Sequence, residues 1–356
     1  MRAAVFLDGQ FTIAAVPDPV PGPGMVLVKP LVCGICGSDL HTRHHAHRIA
    51  NDLHRAGFDH FMDPAKPVVM GHEFCCEIID YGPDTQRKLA VGERVVALPF
   101  VASPTGLELL GYSNSMNGAF AEAMVVQEST MFAVPDHVTS DVAALSEPLS
   151  VAIHAVNAGN VDRDCAFAVY GCGPVGLFVI ARLKNLGLGP VLAIDPDPAR
   201  RAFAEKVGAD HVIAPWTDEQ GRWWESQGAP IGMSDASVAK ALGKLGKRPV
   251  LFECVGKPGL IRTIAQEAPV GASIIVAGVC MEADAIEPAL MINKEISIRF
   301  IFAYSPDEFA QATEMIFANP QALSTLITGH AALTDITSAF ETLERGGEHA
   351  KVLIDL

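Results

Sequence analysis

A glycine-rich loop between two short apolar runs is the feature that most constrains the fold of this chain. The residues from Phe167 to Tyr170 predict a buried strand, residues 171–176 read Gly-Cys-Gly-Pro-Val-Gly, and an apolar helix then leads to a second strand ending at Asp195. Glycines let the backbone turn tightly and approach a pyrophosphate, and the N-terminus of the helix supplies N–H donors. An acid at the end of the second strand can hold the ribose hydroxyls of a dinucleotide. The residues predicted to bind a dinucleotide are therefore Gly171, Gly173, Pro174, Val175, Gly176 and Asp195.

The same acid bears on which cofactor binds. A carboxylate at Asp195 would repel the 2′-phosphate of NADP(H), so the sequence favours NAD(H). Arg200 and Arg201 follow within six residues and could accept a phosphate, which keeps NADP(H) as the less favoured alternative.

Composition limits the other functions open to the chain. Its 356 residues suit two domains, and 49% hydrophobic residues are enough for a large core. A formal net charge of −15 argues against nucleic-acid binding, because that affinity comes mostly from cationic groups. The longest apolar region, residues 166–181, is interrupted by three glycines and a proline and does not predict a membrane span. Without a convincing targeting segment, and with eight cysteines too sparse for a disulfide scaffold, a cytoplasmic protein is expected.

Three stretches of different character follow one another along the chain. From residue 1 to about 145, short β-type runs are bounded by turn residues, which indicates an irregular barrel-like β unit. From about 150 to 290, short apolar strands alternate with helices, which predicts a parallel sheet covered on both faces. From about 291 onward the pattern mixes a strand, a helix and a closing strand.

A second constellation combines Cys36 with His72 and Glu73. Taken alone, Cys33 and Cys36 form a C-x-x-C pair that could be half of a zinc ribbon or a redox pair, but the chain holds no second such pair. The adjacent cysteines at 75–76 fit the core of a strand better than a metal site. Together, one thiolate, one imidazole and nearby carboxylates match a catalytic type of zinc site with a position left open for water or substrate.

Four motifs in this order resemble the zinc-dependent medium-chain dehydrogenase/reductases, the alcohol dehydrogenase superfamily. They are residues 34–41 (Gly-Ile-Cys-Gly-Ser-Asp-Leu-His), residues 71–73 (Gly-His-Glu), residues 147–152 (Glu-Pro-Leu-Ser-Val-Ala), and the glycine loop with its acid. The resemblance extends over essentially the whole chain. Because position 147 holds glutamate rather than cysteine, the chain is more similar to the polyol, threonine and butanediol dehydrogenase branches than to the liver-type enzymes.

The resemblance implies a set of metal ligands. Cys36 and His72 would bind zinc, and Glu73 and Glu147 would share the carboxylate role, one bound directly and the other through water or in an alternate metal position. Which glutamate is the direct ligand stays open. Asp39 would hydrogen-bond the free nitrogen of the His72 ring and so fix its tautomer.

The resemblance also implies a path for the proton and the hydride. Ser38 would take the proton of the substrate alcohol and pass it, through the cofactor ribose, to His41 at the surface. Hydride would pass between the carbinol carbon and the nicotinamide. Arg200 matches a position that contacts the adenosine ribose in relatives.

Two departures from the family pattern affect the metal content and the substrate region. Many relatives hold a structural zinc with four closely spaced cysteines, but the corresponding stretch, Leu98 to Gly118, contains none. We therefore predict one catalytic zinc per chain and no structural zinc. The step of 36 residues from Cys36 to His72 is longer than in the most similar relatives and rich in histidine. It could form an additional metal site, but we favour an amphipathic helical insertion, residues 42–66, over the substrate entrance.

The implied fold class is α/β. A Rossmann-type doubly wound parallel sheet, residues 151–289, would be inserted in a mainly β, GroES-like barrel catalytic zinc domain, residues 1–150 and 290–356. Family members of this kind are homodimers or homotetramers, often paired through the edge strand of the nucleotide sheet, here near Ser273 to Val279 and the segment after it.

The expected activity is zinc-dependent hydride transfer between a small-molecule alcohol, a secondary alcohol or polyol, and NAD, giving the aldehyde or ketone. A zinc-free enzyme of the quinone-reductase type is one alternative, and the complete metal set argues against it. A non-catalytic nucleotide-binding protein is the other, and Ser38 with His41 argues against it, since a binding module needs no proton relay.

Overall fold

The computed structural model describes residues 1–103, 106–347 and 349–356, which fall into two units. Unit 1 comprises Met1–Pro148 and Pro306–Leu356, and unit 2 comprises Leu149–Ser305. The second boundary therefore lies at Ser305, whereas the sequence placed it at residue 289.

The elements follow in chain order. The first part of unit 1 contains β1 (Arg2–Leu7), β2 (Gln10–Ala15), β3 (Met25–Gly34), α1 (Gly37–Arg55), β4 (Val68–Val69), β5 (Glu73–Tyr81), β6 (Arg94–Ala97), β7 (Phe100–Ser103), β8 (Gly106–Leu109), β9 (Met124–Gln127), β10 (Met131–Ala133) and α2 (Ser140–Ala143). Helix α3 (Ser146–Ala158) leads into unit 2, which contains β11 (Cys165–Tyr170), α4 (Pro174–Asn185), β12 (Val191–Ile194), α5 (Pro198–Lys206), β13 (His211–Ile213), α6 (Asp218–Ser226), α7 (Met233–Ala241), β14 (Arg248–Glu253), α8 (Leu260–Glu267), β15 (Ser273–Val276), α9 (Pro288–Asn293) and β16 (Ser297–Phe300). The last part of unit 1 contains α10 (Pro306–Ala318), α11 (Gln321–Ser324), β17 (Ile327–Ala332), α12 (Ile336–Glu344) and β18 (Lys351–Asp355).

The main sheet of unit 1 is organised around its long strand β3. The strand order is β10-β6-β5-β3-β18-β17, and β9 also pairs with β3. Strand β3 is antiparallel to β5 and β18, so Gly34 at its end lies opposite Glu73 on one side and Leu353 on the other. Val26 and Val28, two residues apart on β3, are fully buried, as the period of a strand requires for one face. The register brings the ends of three strands together where the candidate metal ligands lie.

Helix α1 starts two residues after β3. The Asp39 carboxylate accepts a hydrogen bond from the Cys36 N–H at 3.0 Å, which satisfies a backbone donor at the start of the helix. The helix bends at His45, whose φ and ψ are −133° and 20°. The predicted insertion is thus helical as far as Arg55, and residues 56–67 connect α1 to β4 through turns.

Unit 2 is built on a six-stranded sheet with the order β13-β12-β11-β14-β15-β16, and every pair in it is parallel. All six residues of β11 are buried, as expected for a strand covered on both faces. Strand β16 pairs with β15, with Ser297 opposite Ser273. Residues 290–305 thus belong to unit 2, and β16, which lies in the segment after residues 273–279, is an edge of the sheet.

All eight cysteines are free thiols. Across the described ranges, the helices are either too short or too polar to cross a lipid bilayer.

Candidate active site

Three side chains that can bind a metal converge near the end of β3. Cys36 lies between β3 and α1, and His72 and Glu73 lie at the start of β5. Their ligand atoms all lie within 4.8 Å of one another, and His72 and Glu73 are buried. Among the residues that the structure describes, this is the one group of three or more His, Cys, Asp or Glu side chains with such spacing. A thiol, an imidazole and a carboxylate are ligand types of catalytic zinc sites.

Glu73 has one oxygen held by a cation and one oxygen without a donor. Its Oε2 forms an ion pair with Lys351 at the start of β18, and both side chains are almost completely buried. The Lys351 ammonium also donates to the Ile35 carbonyl at 3.1 Å. Oε1 of Glu73 has no hydrogen-bond donor among the described residues. A buried carboxylate oxygen without a donor is costly unless a cation occupies the site, so the residues present fit a bound zinc ion.

The glycine at the end of β3 makes room for this carboxylate. A Cβ atom added to Gly34 would lie 2.1 Å from Oε2 of Glu73 and 3.1 Å from the side chain of Lys351. Any larger residue at this position would push the ion pair apart.

The electrostatics of the three candidate ligands are coupled. Burial and the negative charge of Glu73 raise the pKa of Cys36. Burial alone would lower the pKa of His72, but the Asp39 carboxylate and the Cys36 thiol reverse this and raise it well above its usual range. Burial works against the charge of Lys351, yet Glu73 and Cys36 raise its pKa overall. A divalent cation would replace the protons on the thiol and the imidazole, because metal ligands bind in their deprotonated forms.

Glu147, the other candidate carboxylate, lies in the first turn of α3 and is 8% exposed. Its charge contributes to the raised pKa of Lys351, so it belongs to the same electrostatic neighbourhood. The group whose ligand atoms lie within 4.8 Å contains Glu73 but not Glu147. This geometry favours Glu73 as the nearer carboxylate.

Asp39 lies between His72 and Tyr112. Its Oδ1 is 3.4 Å from Nδ1 of His72 and 2.8 Å from the Tyr112 hydroxyl. The same hydroxyl is 2.9 Å from Oγ of Ser38. Burial opposes ionisation of Asp39, but the nearby charge of His72 and the hydrogen bonds from the Cys36 N–H and Tyr112 outweigh it and lower the pKa of Asp39. Burial and the Asp39 charge raise the pKa of Tyr112, which therefore keeps its proton.

Sequence reasoning missed two residues of this site, Tyr112 and Lys351. Tyr112 lies in the cysteine-free stretch 98–118, where the resemblance offers no pattern to follow. Lys351 is the first residue of a closing strand whose next three residues, Val, Leu and Ile, are apolar and buried. A lysine directly before a strand with such apolar residues is the sequence signal that could have predicted a buried cation.

His41 is half-buried on α1, and burial together with the charges of His45 and His44 lowers its pKa. It is thus neutral at pH 7 and able to accept a proton. His44 is exposed, and its Nε2 lies 2.8 Å from Oε1 of Glu344 on α12, so this histidine of the insertion takes part in a surface hydrogen bond.

The glycine loop of unit 2 joins β11 to α4. Gly171 has a φ of +93°, a conformation that favours glycine, and Pro174 begins α4. A Cβ atom on Gly176 would lie 1.9 Å from the Gly171 carbonyl oxygen, so the helix can approach the loop this closely only with glycine there. Gly173 precedes the helix with an extended φ of −76° and ψ of −177°, and the first-turn residue Val175 follows Pro174. The loop has the form predicted for a backbone cradle at a helix N-terminus.

Asp195 follows β12 and is 2% exposed. Its Oδ2 accepts from the Cys172 N–H of the loop, and its Oδ1 accepts from the Asp197 N–H, both at 2.8 Å. Arg201 donates to the Asp195 carbonyl at 2.8 Å, whereas Arg200 lies in the first turn of α5, close enough for its charge to act on Cys172. The acid therefore holds the loop through a backbone N–H group.

Two protein-family models match the chain. Residues 22–136 match the alcohol dehydrogenase GroES-like domain, and residues 174–318 match the zinc-binding dehydrogenase model. The first match contains the whole Cys36, His72 and Glu73 group. The chain belongs to the zinc-type medium-chain dehydrogenase/reductase family.

Individual members of this family match the chain from end to end. (R,R)-Butanediol dehydrogenase of Bacillus subtilis is 28% identical over 361 residues, covering 96% of this chain and 95% of that protein. Sorbitol dehydrogenase of Bos taurus is 28% identical over 352 residues, covering 95% and 91%. The crystal structure of 2R,3R-butanediol dehydrogenase from Bacillus subtilis superposes with a TM-score of 0.79 at 27% identity, covering 100% of this chain and 99% of that one.

These matches confirm the predicted family and its branch, and they confirm the predicted fold class, a parallel α/β sheet together with a GroES-like domain. The chain is an oxidoreductase of the kind that acts on CH–OH groups.

Proposed function

We propose that the protein is a zinc- and NAD-dependent dehydrogenase that converts a secondary alcohol or polyol to its ketone. The observation that carries this proposal is the group of Cys36 with the buried His72 and Glu73, in which a carboxylate oxygen has no donor among the described residues. The relatives named for butanediol and sorbitol support the substrate class.

Zinc, when bound, supplies Lewis-acid stabilisation of the negative charge that develops on the alcohol oxygen. Cys36, His72 and Glu73 would hold it, with Glu147 as the carboxylate that could replace Glu73. Asp39, whose Oδ1 lies 3.4 Å from Nδ1 of His72, would hold the ring from that side and keep the other ring nitrogen available as a ligand. The ammonium of Lys351 offsets the charge of Glu73. The site therefore does not contain two uncompensated negative charges.

The proton of the alcohol is the second requirement of the reaction. Ser38 is the nearest hydroxyl to the metal ligands in sequence and the partner of Tyr112, so it is suited to accept that proton. His41, neutral at pH 7 and partly exposed, is suited to release the proton to solvent.

For the cofactor we propose NAD over NADP. The Asp195 carboxylate accepts a hydrogen bond from the Cys172 N–H of the loop. It would repel the negative charge of a 2′-phosphate bound beside it. The glycine loop, with Gly171, Gly173, Pro174, Val175 and Gly176, would bind the pyrophosphate through backbone N–H groups. Arg200 would contact the adenosine ribose.

We further propose that two copies of the chain meet along β16. This strand is an edge of its sheet, Phe300 on it is 68% exposed, and Phe302 just beyond it is 77% exposed. Large apolar side chains at an open edge favour pairing with another strand. Light scattering would then report a homodimer or homotetramer, and Phe300→Glu would yield a smaller species. Eight free thiols suit a reducing compartment, and we place the protein in the cytoplasm.

The direct test is a panel of primary, secondary, vicinal-diol and aromatic alcohols, each with NAD and with NADP, on protein whose zinc content is measured in parallel. The proposal requires reduction of NAD by secondary alcohols or polyols, and loss of that activity when a chelator removes zinc. Turnover that persists in metal-free protein would contradict it. So would a zinc-loaded protein that reduces neither cofactor with any alcohol.

A further inference from the structure

The cysteine-free stretch and the insertion, the two parts of this chain that depart from the family pattern, meet at one side chain. The ring of Tyr112 stacks on Phe61, with ring centroids 5.3 Å apart and an angle of 27° between the planes. The other end of the tyrosine, its hydroxyl, reaches Ser38 and Asp39. Tyr112 thus links residues 56–67, here called the connector, to the start of α1.

The connector is fixed to the cysteine-free stretch by more than this stack. The Asn114 side chain accepts from the Asp63 N–H at 2.6 Å and donates to the Pro67 carbonyl at 3.1 Å. The His60 ring lies against Gly106, where a Cβ atom would come within 2.5 Å of Nε2. The connector therefore has a defined position relative to Tyr112.

The hydroxyl contacts set the direction of the hydrogen bonds. A tyrosine hydroxyl has one proton to donate, and an ionised carboxylate can only accept. Oδ2 of Asp39 already accepts from the Cys36 N–H, and Oδ1 faces the Tyr112 hydroxyl, an arrangement that suits the ionised form. The proton of Tyr112 is therefore given to Asp39, and the Ser38 hydroxyl donates to the oxygen of Tyr112.

This direction leaves the lone pairs of Ser38 available to accept a proton, while its own proton points to Tyr112. As Ser38 accepts the proton of the alcohol, it would release its own proton to the next group of the relay that ends at His41, so that the serine stays neutral. We propose that Tyr112 is a positioning residue that presets Ser38 as the proton acceptor and transmits the placement of the connector to it. The inference rests on the proposed alcohol oxidation, because Ser38 has this task only there.

Three variants separate the parts of the proposal. Tyr112→Phe removes the hydroxyl and keeps the stack, whereas Phe61→Ala removes the stack and keeps the hydroxyl. Tyr81→Phe is the matched control, since it deletes a hydroxyl that donates to the Leu89 carbonyl at 2.6 Å elsewhere in unit 1. The measurements are kcat, KM, the solvent deuterium isotope effect on kcat, zinc affinity by chelator competition, and hydrogen exchange of the peptides covering residues 36–42 and 56–67.

For Tyr112→Phe we expect kcat to fall about 10- to 100-fold, the range for residues that act through a neighbouring group, with KM and zinc affinity nearly unchanged. The solvent isotope effect rises because proton transfer becomes slower relative to hydride transfer. Exchange in residues 36–42 becomes faster, since Asp39 loses a partner, and exchange in the connector stays the same. For Phe61→Ala the connector exchanges faster and kcat falls by about 2- to 30-fold, as for a coupled but more distant contact. Tyr81→Phe changes none of these.

Several results would overturn the proposal. One is a Tyr112→Phe variant with wild-type kcat and unchanged exchange in residues 36–42. Another is a loss of zinc affinity as large as the loss of kcat, which would make Tyr112 a support of the metal ligands. If the wild-type protein oxidises no alcohol, the proposed function fails by itself. The exchange measurements then decide the coupling alone: unchanged exchange in residues 36–42 of Tyr112→Phe, or in the connector of Phe61→Ala, would refute it.

Discussion

Two buried carboxylates, Glu73 in unit 1 and Asp195 in unit 2, belong to the two candidate sites and are stabilised in opposite ways. Both oxygens of Asp195 accept backbone N–H groups, one from Cys172 in the glycine loop and one from Asp197. Glu73 has a lysine on one oxygen, and the other has no donor among the described residues. One acid is satisfied by the backbone near it, and the other depends on a side chain at the far end of the chain.

The contrast shows what each kind of site needs. A carboxylate held by backbone N–H groups completes a loop, and it can do so before any ligand arrives. A carboxylate held by a buried ammonium is stable only while that partner stays, because desolvation of an unpaired buried charge is costly. Oε1 of Glu73 has no donor among the described residues, and a bound metal ion would stabilise it. The glycine loop is thus satisfied by its own backbone, whereas the candidate metal site offers a carboxylate oxygen to a cation.

Removing the ammonium should have the largest effect. Lys351→Met leaves the buried Glu73 carboxyl without its cationic partner, so we expect the metal-free protein to lose about 3–5 kcal/mol of unfolding free energy. Urea unfolding in the presence of a chelator measures this. Pairing the change with Glu73→Gln removes both charges and should recover most of the loss. A single variant as stable as the wild type would mean that the ion pair does not stabilise the site.

Removing the thiolate of Cys36 should have the second-largest effect. Because changes beside metal ligands cost about 10- to 100-fold, we expect Cys36→Ala to lower turnover by more than about 100-fold and to abolish zinc binding. Cys75→Ala, a buried thiol on β5, is the control and should retain its metal. Full turnover in Cys36→Ala would show that the thiolate does not hold the metal that the reaction needs.

The corresponding change in unit 2 should be smaller and should affect the cofactor only. Asp195→Asn loses the negative charge, so we expect the preference for NAD over NADP, as a ratio of kcat/KM values, to shrink about tenfold or more. Asp197→Asn makes the same chemical change two residues away, where the side chain accepts from the Ala199 N–H at 2.8 Å to begin α5. That control should keep the preference. Equal effects of the two changes would remove Asp195 from the discrimination of cofactors.

The smallest expected effect concerns His41, which is half-buried. Burial and the neighbouring histidines lower the pKa of His41 below 6.5. Folding therefore disfavours its protonation, so its contribution to stability is present above pH 6.5 and is lost as the pH falls through the folded pKa. His41→Gln should reduce the loss of stability between pH 6.5 and 5 by less than about 1 kcal/mol, because solvent screens this half-buried group. His47→Gln, exposed on the same helix, is the matched control, and an equal change in both variants would count against the assignment.

The same contrast explains what could be predicted from the sequence. The glycine loop with Asp195 was predictable because its partners lie within 23 residues and its geometry is a property of the backbone. Cys36, His72 and Glu73 were recognisable through two short motifs. Lys351 was not, since the register of β3 between β5 and β18 decides which side chain faces Glu73.

Tyr112 was missed, and the strand predicted near β16 was placed in the final stretch, for related reasons. Tyr112 reaches Ser38 only because the cysteine-free stretch folds back over the start of α1, and no local pattern encodes that path. Strand β16 looked like part of the final stretch because it follows the last helix of the alternating pattern, yet its pairing with β15 places it in unit 2. Long-range pairing, rather than local propensity, decided these positions.

The central claim is that Cys36, His72 and Glu73 hold a single zinc ion, and elemental analysis of the purified, zinc-reconstituted protein tests it most directly. The account predicts one zinc per chain in the wild type and none in Cys36→Ala. Two zinc ions per chain, or a full complement of zinc in Cys36→Ala, would contradict it.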